Sequence, residues 1–184
     1  SLVFDSRDTC MTMYKDPIMW NKGIQLLGEE VKVYMDTASI EWVHIKNQTL
    51  YVEPVTKEDY NQIKGQEMKY FFTDGRLSEM QVIGSVGIIF YPIDDVDSTF
   101  IGMNTTVAGR VFAYVNDGQM EKIFIPKDAK GVFYPMGQRP PEKRFLDNFA
   151  WFDYVRPRSK DDIFEWRGKG SNLQLKSVKR ENIP

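Results

Sequence analysis

The sequence predicts an all-β protein: an elongated open β-jellyroll, or twisted antiparallel sandwich, built from repeated strand–turn–strand units. Three observations carry that prediction. Apolar and polar residues alternate in short runs closed by turn residues, at Val31–Met35, Met68–Phe72 and Val111–Val115. Each run is followed by a second pattern of apolar residues stepped by three and then two: Ile40, Val43, Ile45; Leu77, Met80, Val82; Met120, Ile123, Ile125. The two patterns recur together at a fixed spacing, and no long helical pattern competes with them.

The turns come first. Asp74-Gly75 and Asp117-Gly118 join alternating segments, and glycine accepts the positive φ that a two-residue hairpin demands. Asp36-Thr37 does the same work in the first unit. The step of three after each turn is what an extra bulged residue produces. Units two and three lie 43 residues apart at Gly75 and Gly118, at Leu77 and Met120, and at Phe90 and Phe133, where each ends in Phe-Tyr-Pro. Units one and two match at 37 residues, pairing Gln25 with Gln62, Gly28 with Gly65, Glu30 with Glu67 and Ile40 with Leu77, before a one-residue slip at Pro54 and Pro92. Each unit is read as strand, turn, strand, short link, strand, and stacked units share one core. Thr56–Asn61 is too short and polar for more than one helical turn. Such a stack leaves unpaired strand edges at its two ends.

Composition limits function. The 184 residues carry 24 Lys and Arg against 26 Asp and Glu, a formal charge of −2 that argues against nucleic-acid binding. The longest uninterrupted apolar run, Val111–Val115, is far too short to cross a bilayer as a helix. One cysteine, Cys10, excludes an intrachain disulfide and a thiolate zinc cluster, and His44 is the single histidine. No Gly-x-Ser-x-Gly elbow, phosphate loop or metal-spaced ligand set is present, so no catalytic residue, metal or cofactor is expected. Asp94, Asp95 and Asp97 share a loop without the glycine and distal glutamate of a calcium site. Glu30 and Glu67, at equivalent repeat positions, read as shared edge geometry and not as an acid–base pair. The organisation expected is one domain over 1–167 and a polar, flexible tail over 168–184. Phe145, Phe149, Trp151, Phe152 and Tyr154 are expected to cap the last sheet. Twelve Phe, nine Tyr, four Trp and nine Met also suit an apolar seam for a ligand with long hydrocarbon chains.

The run Tyr60–Met68, continued by Asp74-Gly75-Arg76-Leu77 and Val82-Ile83-Gly84-Ser85-Val86, resembles the OstA-like family of lipopolysaccharide-transport proteins, the LptA/OstA type of β-jellyroll. The family pattern is a glycine, an alternating strand, a turn, then an apolar–x–x–apolar–x–apolar strand ending in Gly-x-apolar. It is met at Gly65–Val86 and more loosely at Gly28–Ile45. Gly102-Met103-Asn104, Phe149-Ala150-Trp151 and Arg156-Pro157 add to the likeness, which covers roughly residues 17 to 166. The resemblance implies a non-enzymatic, periplasmic carrier that holds the lipid A acyl chains of lipopolysaccharide. It implies pairing with other β-jellyroll transport components, or with itself, through edge strands. The lipid-facing set implied is Val31, Val33, Met35, Met68, Tyr70, Phe72, Met80, Val82, Val86, Ile88, Phe90, Val111, Ala113, Val115, Ile123 and Ile125. The long loop from Pro92 to Gly102 and the aromatic C-terminal stretch depart from the family pattern. The alternative from the residues alone is a structural or interaction module with a fully packed interior and no lipid.

Overall fold

The computed structural model describes residues 1–159 and 162, apart from 8, 38, 117 and 118, together with the backbone but not the side chains of 119–121. Its strands in chain order are β1 (Leu2–Asp5), β2 (Cys10–Tyr14), β3 (Ile18–Asn21), β4 (Ile24–Leu27), β5 (Glu30–Met35), β6 (Ile40–Pro54), β7 (Tyr60–Thr73), β8 (Arg76–Phe90), β9 (Gly102–Asn116), β10 (Gln119–Phe124) and β11 (Lys130–Pro135). Among the described residues there is no α-helix, only single 3-10 turns at Met136–Gln138, Pro141–Lys143 and Asp153–Val155. The strands form one antiparallel sheet, β1-β2-β5-β6-β7-β8-β9-β10, with β4 beside β6, β3 beside β4 and β11 beside β9. The protein is all-β, an open antiparallel jellyroll, as the sequence predicts.

The hairpin chemistry read from sequence is visible at Asp74 and Gly75, whose φ values of 51° and 72° close a two-residue turn between Thr73 and Arg76. Asp117-Gly118 lies outside the described residues. The bulges recur in all three units. Opposite the consecutive residues Tyr34 and Met35, the pairing steps from Trp42 to Ile40, skipping Glu41. Opposite Phe71 and Phe72 it steps from Glu79 to Leu77, skipping Ser78, and on β10 it skips position 121. The step of three in the apolar pattern therefore counts one bulged residue, and both flanking apolar residues keep the same face.

A second irregularity crosses the whole sheet. Asn47 and Gln48 (φ 59° and 47°) interrupt β6, and Gly84 and Ser85 (φ 82° and 48°) interrupt β8, with register shifts at both places. Gly65 lies between them on β7, and a Cβ built there would stand 2.6 Å from Cγ1 of Val82; Gly28, its counterpart in unit one, meets Ile45 in the same way. Glycine is required at both because the backbone passes directly over the packed side chain. The sheet folds at this row, so each long strand contributes to two facing walls. β5, β10 and the nearer halves of β6–β9 form the first wall; β3, β4, β11 and the farther halves form the second. The expected short link is thus a bend inside a continuous strand in units one and two. It is a true break only in unit three, where Pro126 lacks the N–H for the ladder and Asp128 takes φ 85°.

The core fills the space between the walls. One row, Val31–Ile45–Met68–Val82–Val111, runs in register across five strands and is almost fully buried. The next row is Val33–Val43–Tyr70–Met80–Ala113. A smaller cluster of Ile89, Tyr91 and Met103 lies on the outer side of the second wall, covered by Tyr134, Met136 and Leu146. The chain after β11 is held there by a latch. Asp59 accepts hydrogen bonds from Arg139 Nη1 (2.7 Å), Arg144 Nη2 (2.8 Å) and the Tyr91 hydroxyl (3.0 Å). The Gln62 side chain donates to the Arg144 carbonyl and accepts from the Leu146 N–H, both at 2.9 Å.

The described residues form two compact units, Ser1–Phe149 and a second beginning at Ala150. The aromatic stretch is divided between them. Phe145 and Phe149 pack on Tyr60 of β7 rather than on the last strands, while Phe152 and Tyr154 meet edge to face in the second unit. The segment 168–184, expected to be a tail, lies outside the described residues.

Candidate functional site

Beyond the two packed rows the walls separate and leave a cavity of about 330 Å³. Its floor is Tyr70, Met80, Val111 and Ala113 of the first wall, extended by Leu77, Val115, Ile123 and Ile125. Its roof is Tyr51, Ile63, Ile88 and Phe90 of the second wall, with Ile24. Phe90 and Ile123, 48% and 56% exposed, stand at its mouth.

The sixteen residues expected to face a ligand divide into two groups. Tyr70, Met80, Ile88, Phe90, Val111, Ala113, Val115, Ile123 and Ile125 line the cavity. Val31, Val33, Met68, Val82 and Val86 are buried in the packed part of the core, and Met35 and Phe72 are half-buried against it. The second-wall residues Tyr51 and Ile63 were not in that set, nor was Leu77. The 37-residue offset that pairs Tyr51 with Ile88 was the signal for the first of them.

Four polar residues join the lining: Glu53, Asn61, Asn104 and Thr106. Thr106 donates to Asn104 Oδ1 at 2.7 Å. Glu53 Oε2 accepts from the Tyr51 hydroxyl at 3.2 Å and from Asn61 Nδ2 at 3.0 Å. Burial pushes the Tyr51 phenol far above its ordinary value, with the Glu53 charge adding to the effect, and burial alone raises Tyr70. Both phenols therefore stay protonated and act as donors. No lysine or arginine lines the cavity among the described residues.

Among the described residues the sheet ends are open. β1 pairs with β2 alone, and Leu2, Val3 and Phe4 are 61%, 53% and 55% exposed. At the opposite end β10 and β11 each pair with β9 alone.

The residues weighed for catalysis are not brought together in one site. His44 Nε2 lies 2.9 Å from Glu67 Oε2; burial lowers the His44 pKa against the opposing pull of that carboxylate. Glu30 contacts Lys46 at 3.5 Å. Cys10 is buried beside Thr12. Asp94 and Asp97 accept hydrogen bonds from Val96 and Thr99 of their own loop. Among the described residues no group of three or more His, Cys, Asp or Glu is placed to hold a metal.

No family model matches the chain, and no curated protein does. Among solved structures it is similar to the crystal structure of LptH from Pseudomonas aeruginosa, described as the LptA-homologous periplasmic component of a conserved lipopolysaccharide transport device. The TM-score is 0.52 at 15% identity, covering 73% of this chain and 91% of that one. At that identity the likeness establishes the fold.

Proposed function

We propose that the chain is a non-enzymatic, periplasmic lipopolysaccharide-transport module that holds lipid A acyl chains between its walls. The observation that carries this reading is the apolar cavity between the walls of an LptA-like jellyroll, with exposed Phe90 and Ile123 at its mouth. Each methylene moved out of water contributes about 0.8 kcal/mol, so a chain lying along this lining is held without any charged contact. The open strands β1, β10 and β11 suit end-to-end pairing with other jellyroll components or with a second copy. Of the sixteen residues implied by the family resemblance, those lining the cavity are assigned the lipid contact, and Val31, Val33, Met68 and Val82 a supporting role beneath it.

A photo-crosslinkable phenylalanine analogue in place of Phe90 or Tyr70 tests the reading. Adducts with lipopolysaccharide are expected at both positions and not at Lys69, on the outer face. Equal labelling at Lys69 refutes it. For the edges, Phe4→Pro, at a position whose N–H faces away from β2, is expected to abolish self-association of lipid-free protein while leaving the cavity unchanged. The second reading, an interaction module without a ligand, draws on the Val31–Ile45–Met68–Val82–Val111 row, which is packed by side chains alone. It predicts that no neutral apolar fluorophore is taken up.

A further inference from the structure

We propose that Glu53 makes the cavity selective for acyl chains that carry a hydroxyl group, an inference that rests on the lipid-binding reading above. Among the described residues that line the cavity, Glu53 is the one charged side chain. Its place in the repeat makes it an exception. Glu53, Phe90 and Phe133 are equivalent at offsets of 37 and 43 residues. Phe90 and Phe133 both stand opposite Asn104, and Glu53 stands opposite Asn61, at the same inward-facing position of the second wall. Two units thus supply a large apolar ring where the first supplies a carboxylate.

The carboxylate is held, and held in a particular way. Asn61 Oδ1 accepts the Tyr91 N–H at 2.9 Å, which fixes the amide so that Nδ2 donates to Glu53. The Tyr51 hydroxyl, kept protonated by burial, donates to the same oxygen, Oε2. Oε1 accepts no hydrogen bond from any described residue. A carboxylate is an acceptor only, so the group pinned through Oε2 keeps its other oxygen, Oε1, with capacity to spare.

Three ligand chemistries respond differently to that oxygen. A phosphate or other anion is repelled from it. A plain hydrocarbon chain displaces the water that solvates it and leaves the acceptor unmet. A hydroxyl on the chain donates to it, and a hydrogen bond to a charged acceptor is worth about tenfold or more in affinity.

The test is displacement of N-phenyl-1-naphthylamine, a neutral apolar fluorophore, from the full chain. The competitors are paired methyl esters: tetradecanoate against 3-hydroxytetradecanoate, and octadecanoate against 12-hydroxyoctadecanoate. At least one hydroxylated ester is expected to compete about tenfold better than its parent. Glu53→Leu is expected to bring that ratio to about one while the plain ester binds as well or better. Glu53→Gln, which keeps the shape and one acceptor, is expected to give a ratio near three and decides the matter if the leucine variant does not fold. Equal competition within both pairs in the parent protein, or a preference that survives both substitutions, overturns the hydroxyl inference and leaves the cavity reading standing. Failure of the fluorophore to bind at all removes the lipid reading, and this inference with it.

Discussion

The two halves of the interior are built from the same repeat and held together differently. Toward the N-terminal strands, Val31, Ile45, Met68 and Val82 meet in register and each is wholly buried, so that half is supported from within. Around β8, β9 and β10 the walls stand apart over the cavity, and Ile88 and Val115 are only half-buried. That half is supported from outside. The strand that turns Ile88 and Phe90 inward turns Ile89 and Tyr91 outward, beneath Met136 and Leu146 and the arginines paired with Asp59. A hollow can persist in a folded sheet when packing withheld from one face is supplied on the other.

The largest expected effect falls in the packed half. Met68→Ala should cost about 2–5 kcal/mol, since it empties a site enclosed on all sides, whereas Val115→Ala at the cavity edge should cost under about 1 kcal/mol. Urea midpoints of the two variants measure the difference; equal losses would erase the distinction between the halves. Next comes the outer latch. Asp59→Asn should cost about 2–3 kcal/mol, less than for a fully buried pair because both arginines keep part of their side chains in solvent. Its amide exchange should rise in the second half of β8 and the first half of β9, and stay unchanged around Met68.

The latch also has a pH signature. Burial pushes the Asp59 pKa up, but hydrogen bonds from Arg139, Arg144 and Tyr91 outweigh it and hold the carboxyl below its ordinary 3.8. Its contribution to stability is therefore complete above that value and is lost as the pH falls below it. The parent protein should show an acid-dependent loss in its urea midpoint that Asp59→Asn lacks. Gly65→Ala should cost about 1–3 kcal/mol, because its methyl would run into Val82. The smallest change in stability, within about 1 kcal/mol of zero, is expected for Ala113→Leu, which adds volume where there is space. The same variant should weaken fluorophore uptake about tenfold or more, and unaltered uptake would place the ligand elsewhere.

Much of this was legible in the sequence because period-2 alternation assigns a face to every strand residue. The 37- and 43-residue offsets located the units, and the step of three anticipated the bulges at Glu41 and Ser78. Alternation does not report how far apart two inward faces stand. Val31 and Val115 carry the same signal, yet one is sealed in a packed row and the other borders the cavity. The bend was equally hidden, since Asn47-Gln48 and Gly84-Ser85 share no residue type and are related only by their positive φ. The role of 136–149 was out of reach for another reason: the partners of Arg139 and Arg144 lie 80 and 85 residues earlier.

That separation sets an order of assembly. Asp59 emerges near the start of β7, but its arginines join it only after β8, β9, β10 and β11 have been added. Contacts so distant along the chain close late, since the intervening loop must be ordered first. Until then Ile89, Tyr91 and Met103 face solvent on a nearly complete sheet. Asp59→Asn should accordingly leave the refolding rate almost unchanged and speed unfolding, the pattern of a contact made after the rate-limiting step. The latch works as a closing clasp: it decides how long a finished sheet survives, and has little influence on how quickly one forms.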